Sequence, residues 1–184
     1  GHDVQMVVRP VDGLWGAGSK EAVELITRHD AKALLGFLDG RNAHLVEQVC
    51  TKAEIPFISA ISPDPTLWRI NIPWFFSMMP DAEQQAKALA EHIFRDSTDK
   101  SISVITSDDY DQGFTSRYFL EEANSRSGRP VINHSYPSGP EEFKKLSAEL
   151  SASGSDAIVF FGTSGELEQL LNYPGFLKRN VPNY

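Results

Sequence analysis

The sequence predicts an α/β fold with mostly parallel sheets divided between two lobes, and three features carry that prediction. Short apolar runs alternate with amphipathic stretches of roughly 10 to 15 residues, the rhythm of β-α-β units joined by right-handed crossovers. Several of the apolar runs lack polar alternation, as strands covered on both faces do. The rhythm is interrupted once, by the stretch containing Pro63, Pro65, Trp68 and Pro73, and restarts cleanly after it, which suits a crossing between two sheets.

In chain order, Val4 to Val8 reads as a short strand, ended by Pro10, which cannot donate to a ladder. A Gly-rich loop from Gly13 to Gly18 follows. Ser19 is placed to N-cap a helix, with Glu21 in its first turn and Ala22, Val23, Leu25 and Ile26 on its apolar face. The continuous apolar run Ala33 to Leu38 stops at Asp39-Gly40 and reads as a strand buried on both faces. A helix carrying Leu45, Val46 and Val49 leads into the strand Ile55 to Ile61, which halts at Ser62-Pro63-Asp64-Pro65. Trp74 to Met79 is a further extended segment. Asp81 and Gln84 then stand at capping-box spacing ahead of Ala86, Leu89, Ala90 and Ile93. The second half keeps the rhythm: Ile102 to Thr106, a helix with Phe114, Tyr118 and Phe119, Val131 to Tyr136, a helix with Phe143, Leu146 and Leu150, and a buried strand from Ala157 to Gly162.

Composition narrows the function. With 41% hydrophobic and 23% charged residues, the chain lies well away from disordered or fibrous extremes. Asp and Glu outnumber Lys and Arg by 25 to 17, and the basic residues are scattered, so a nucleic-acid backbone is excluded as the expected partner. The single cysteine, Cys50, falls on an apolar helical face and reads as a small core residue. No apolar run approaches the roughly 20 residues that span a bilayer, and no signal-like segment opens the chain; Gly1-His2 carries no structural weight.

In open parallel sheets, ligands bind outside the carboxyl ends of the strands. The residues there are Asp39-Gly40-Arg41-Asn42, Ile61-Ser62-Pro63-Asp64, Asp108-Asp109-Tyr110-Asp111 and Thr163-Ser164-Gly165. Hydroxyls and helix N-terminal N–H groups hold an anion, and an acid takes an ammonium, so the set suits a small zwitterion or carboxylate. Taken singly, Asn42, Ser62 and Asp109 serve equally well as caps of helices and turns; their joint position favours ligand contact.

Catalytic readings have less support. His29, His44, His92 and His134 lie in separate segments without an H-x-x-x-H pair, so no metal site is expected, and no cofactor is implied. Gly13, Gly16 and Gly18 lack dinucleotide spacing and read as a surface loop. Gly162-Thr163-Ser164-Gly165 places a serine between a strand and a helix, but without a G-x-S-x-G elbow or an evident base. Asp108 and Asp109 are expected to accept helix N–H groups rather than to perform acid–base work.

Laid out this way, the chain resembles the type I periplasmic binding proteins of the leucine/isoleucine/valine-binding and amino-acid-receptor family, from about Val4 to Pro182. The resemblance rests on an ordered series: the helix ending in Leu25-Ile26, Leu35-Gly36-Phe37-Leu38 with its polar turn, and Ile55-Pro56-Phe57-Ile58-Ser59 before a Ser-Pro turn. Trp74 to Pro80 entering a helix, Tyr110-Asp111-Gln112-Gly113, and Asp156 to Gly162 continue it. It implies two Rossmann-like lobes, here incomplete: residues 1–79 as partial lobe I and 80–184 as partial lobe II, with a hinge crossing near 79–81, where substitutions alter affinity without touching the pocket. It also implies capture of an amino acid or related small carboxylate in an interlobe cleft, delivery to the membrane subunits of an ABC importer, a periplasmic or extracellular location, and no enzyme activity.

The pocket positions implied are Gly40, Arg41, Asn42, Ile61, Ser62, Pro63, Tyr110, Thr163 and Ser164. Arg41 and Asn42 stand where the family commonly has small hydroxyl residues, and Pro63 stands near a common threonine, which points to an acid more anionic than a branched-chain amino acid. The family's first strand and helix before Val4 and its segments after Tyr184 are not in this sequence, so the chain reads as a fragment with open sheet edges, through which two copies are expected to pair. Two alternatives remain: a ligand-sensing domain of a signalling receptor, and a flavodoxin-like enzyme that would need a flavin or Ser164.

Overall fold

The computed structural model describes residues 3–12, 16–69, 71–136 and 140–173; readings placed on Gly1-His2, on Gly13 and beyond Tyr173 lie outside the described residues. The chain divides into two compact units, residues 1–81 and 82–184. None of the described helices is long and apolar enough to cross a membrane.

In the first unit, α1 (Ala17–His29), β1 (Leu34–Gly36), α2 (Gly40–Ala53), β2 (Phe57–Ser59), a 3-10 turn (Pro65–Leu67) and β3 (Phe75–Ser77) follow in order. The strands form a parallel sheet in the order β1-β2-β3, with Leu34, Phe57 and Phe75 in one row and Leu35, Ile58 and Phe76 in the next. Ala22 of α1 and Ala43, Val46 and Cys50 of α2 pack on Leu34 and Phe57, covering one face. Gly36 is required where it stands, because a Cβ there would come within 2.7 Å of the Phe57 ring. Cys50 is buried and free, and burial, then the charge of Glu47, pushes its thiol up to about 11.

The structure corrects three expectations in this unit. Val4 to Val8 forms no strand, and Val4 is 92% exposed, because the segment finds no ladder partner among the described residues. Ser19 is not the N-cap of α1. Gly16, at φ 102°, turns the chain in a left-handed conformation open to glycine, the helix starts at Ala17, and the Ser19 hydroxyl donates back to the Gly16 carbonyl at 2.8 Å. The strand around Leu35 is buried on one face only: Leu35 is 58% and Phe76 56% exposed. Each strand of this sheet is also shorter than its apolar run, since only residues facing a neighbouring strand join the ladder.

The second unit contains α3 (Ala82–Ile93), β4 (Ile102–Ser107), α4 (Tyr110–Arg126), β5 (Val131–Tyr136), α5 (Pro140–Ser153), β6 (Ala157–Phe161) and α6 (Ser164–Leu171). Its sheet, β5-β4-β6, is parallel throughout. Helices cover both faces. Ala86, Ala90 and Ile93 of α3 and Phe119 and Ala123 of α4 pack on Ile102, Val104 and Val159. On the other side, Phe143, Leu146 and Leu150 of α5 and Leu170 of α6 pack on Ile105 and Tyr136. The central strand β4 is consequently buried along its whole length. Parallel strands joined through α-helices, or in the case of β2 and β3 through the 3-10 turn, make up the expected α/β fold in both units.

Candidate functional site

At the carboxyl ends of β1 and β2, the first unit presents the two predicted segments side by side. Asp39 N-caps α2, accepting from the Asn42 N–H at 3.1 Å and from Asn42 Nδ2 at 2.8 Å. Gly40 is buried as the first residue of the helix, and Arg41 is exposed. Asn42 is therefore committed to its own cap, and its Oδ1 is buried with no partner among the described residues, close over Gly18. After β2, Ile61 is exposed, Pro63 half-buried and Ser62 buried, with the Ser62 hydroxyl accepting from the Asp64 N–H at 3.2 Å. Asp64 in turn accepts from the Thr66 N–H at 2.9 Å and the Thr66 hydroxyl at 2.7 Å. The Ser59 hydroxyl, at the end of β2, is a second buried oxygen with no partner among the described residues.

In the second unit, Asp109 N-caps α4 through the Gln112 N–H at 3.0 Å, as expected of it. Tyr110 opens that helix, half-buried, with its ring edge-on to Phe114 at 5.1 Å. Thr163 N-caps α6 in a complete capping box: the Glu166 N–H donates to the Thr163 hydroxyl at 3.3 Å, and the Thr163 N–H donates to Glu166 Oε2 at 2.7 Å. Ser164, the first residue of α6, is exposed. Two helix N-termini, each with N–H groups that have no intrahelical partner and with partial positive charge, thus flank the end of β4.

Tyr136, a strand-end residue missed in the sequence, closes β5 opposite Ser107. It is 3% exposed, and its hydroxyl has no partner among the described residues. Burial, then the charges of Glu166 and Asp108, raise its phenol above the ordinary value near 10. The available signal was its place at the carboxyl end of a predicted strand, next to the positions selected in the other segments.

A serine–histidine–acid chain also exists in this unit, but it is closed to substrate. His134 Nε2 lies 3.5 Å from Ser103 Oγ, and His134 Nδ1 lies 3.1 Å from Glu149 Oε2, the connectivity of a hydrolase triad. Ser103 is 0% exposed, and its hydroxyl is already bonded to Ser155 at 2.7 Å and Ser153 at 3.3 Å. The network ties α5 to the sheet. Among the described residues, no group of three or more His, Cys, Asp or Glu side chains is placed to hold a metal ion.

The family described as "Receptor family ligand binding region" matches residues 1–174. The chain belongs to this receptor ligand-binding family. The family is one of ligand-binding regions rather than of enzymes. Among solved structures, the chain is similar to the branched-chain amino acid transporter substrate binding protein LivJ of Streptococcus pneumoniae in complex with isoleucine. The TM-score is 0.77 at 18% identity, covering 97% of this chain and 51% of that one. It is also similar to the leucine binding protein LivK of Thermotoga maritima, with a TM-score of 0.70 at 18% identity, covering 87% and 45%. A solute binding protein of an ABC transporter from Rhodopseudomonas palustris BisB5, in complex with 3,4-dihydroxybenzoic acid, gives 0.75 at 17% identity, covering 91% and 47%. The likeness is one of fold, that of type I periplasmic binding proteins, and the chain spans about half the length of these structures. A comparison with curated proteins gives no match.

Proposed function

We propose that this chain is the solute-capturing part of an extracytoplasmic binding protein that takes up an amino acid or related small carboxylate for an ABC importer. The observation that carries the reading is the placement of the N-termini of α2, α4 and α6 at the carboxyl ends of parallel strands. Their N–H groups and dipoles favour a carboxylate. Gly40 to Asn42, Ile61 to Pro63, Tyr110, Thr163 and Ser164 are the proposed contacts, and the exposed Arg41 favours an acid with added negative charge. Residues 1–79 and 80–184 would be the partial lobes, with the crossing near 79–81; the division into compact units after Asp81 supports that assignment.

A thermal melt against L-leucine, L-isoleucine, L-glutamate, benzoate and 3,4-dihydroxybenzoate tests the reading. A ligand at 100 times its dissociation constant adds about 2.7 kcal/mol, a shift of several degrees. A selective shift is expected for at least one acid. No shift with any of them, in this chain and in a longer chain carrying the remaining strands, would remove the proposal.

Self-association belongs to the same reading. The row Leu35, Ile58 and Phe76 leaves two apolar side chains exposed on one face of a sheet that has three strands, and so two open edges, among the described residues. Light scattering is expected to give twice the 20.4 kDa of one chain, and Phe76→Glu to return the single-chain mass. A single-chain mass for the unaltered protein would refute pairing.

A further inference from the structure

We infer that His44 clamps the turn after β2 onto α2, so that the two strand-end segments of the first unit are held as one piece; its bearing on a ligand rests on the function proposed above. His44 lies one helical turn beyond Gly40, and its Nε2 stands 2.8 Å from Thr66 Oγ1 and 3.2 Å from Asp64 Oδ2. The Thr66 hydroxyl has a single proton, which it donates to Asp64 Oδ1 at 2.7 Å. Nε2 therefore faces two acceptors and carries a proton itself, an assignment that follows from the network.

The Asp64 side chain is 0% exposed, and a buried carboxylate is costly unless hydrogen-bonded. Thr66 meets Oδ1 from within the turn, whereas His44 meets Oδ2 from another element, 22 residues from Thr66 in sequence. An aspartate turn closed by Thr66 alone would be complete locally. The bond from His44 crosses to the helix. From Asp64 the chain of bonds continues to Ser62, whose hydroxyl accepts the Asp64 N–H, while α2 begins with Gly40, Arg41 and Asn42. His44 is thus a positioning residue: its imidazole bonds to Asp64 and Thr66, which are not among the proposed contacts, and holds the turn that carries Ser62 against the helix that begins with Gly40.

The test uses this chain with His44→Phe, which keeps a ring and loses the donor, and His44→Gln, which keeps a donor on a side chain of similar reach. Hydrogen exchange at the Asp64 and Thr66 amides is expected to accelerate about tenfold or more in His44→Phe, the size of a lost bond to a charged group, and to return most of the way in His44→Gln. Exchange at Val104 serves as the unaffected control. Should His44→Phe also expose the amides of Val46 and Phe57, the first unit has opened, and Thr66→Val, which removes the bridging hydroxyl, is read instead. Unchanged exchange at Asp64 and Thr66 would overturn the clamp. Whichever panel acid shifts the melt is expected to bind about tenfold more weakly to His44→Phe and normally to His44→Gln. Faster exchange with unchanged affinity would overturn the positioning role. An absence of binding by the unaltered chain would count against the proposed function, while the exchange result would still decide the clamp.

Discussion

Phe119→Ala is expected to destabilise the second unit by about 3 to 5 kcal/mol, the range for deleting a fully buried aromatic ring. Phe119 is completely buried on α4, with its ring centroid 5.5 Å from that of Phe161. Around it stand Ala86 and Ala90 of α3 and Val104 and Val159 of the sheet. Alanines have no side chain to swing into the vacated space, and both strands are held by parallel ladders, so the cavity would stay largely open. The loss compares with the whole stability of a domain, typically 5 to 15 kcal/mol. Denaturant titration followed in unit-2 amides would measure it, and a loss below about 1 kcal/mol would mean that the ring is not part of the core.

Phe57→Ala is expected to cost the first unit a similar amount, about 3 to 5 kcal/mol, for a different geometric reason. The Phe57 ring lies over Gly36 and edge-on to Phe75 at 5.7 Å, so it fills a space that the glycine leaves empty. Among the described residues, the core of this unit shares no member with the two clusters of the second unit. Hydrogen exchange should therefore report loss of protection confined to residues 1–81 for Phe57→Ala and to residues 82–184 for Phe119→Ala. Equal loss in both units from either substitution would make them one cooperative body and remove the support for two lobes.

Much of the fold was readable locally. The run Val131 to Tyr136 is the strand β5 as anticipated, and the helices carrying Val46, Ala90, Phe119 and Leu146 bury those residues. Periodicity and capping act within a few residues, which is why they show in one dimension. The caps themselves were only partly readable: Asp109 took its role, but Gly16 displaced Ser19, since a left-handed glycine leaves no periodic trace. The strand-end residues were named from position alone, and the structure adds what each touches. Asn42 is tied to Asp39, Ser62 to the Asp64 turn and Thr163 to Glu166.

The sequence by itself determined the order and type of the helices and strands from α1 onward, the acidic balance and the location of the polar turns, because each depends on composition or on near neighbours along the chain. Only the tertiary structure decided that Leu35 and Phe76 share an uncovered face, that Val4 to Val8 stays unpaired, that the Tyr136 hydroxyl is left without a partner among the described residues, and that His44 meets Asp64. Covering a sheet face, completing a ladder and satisfying a buried polar atom all require groups tens of residues away, and their arrival depends on packing that no local pattern encodes.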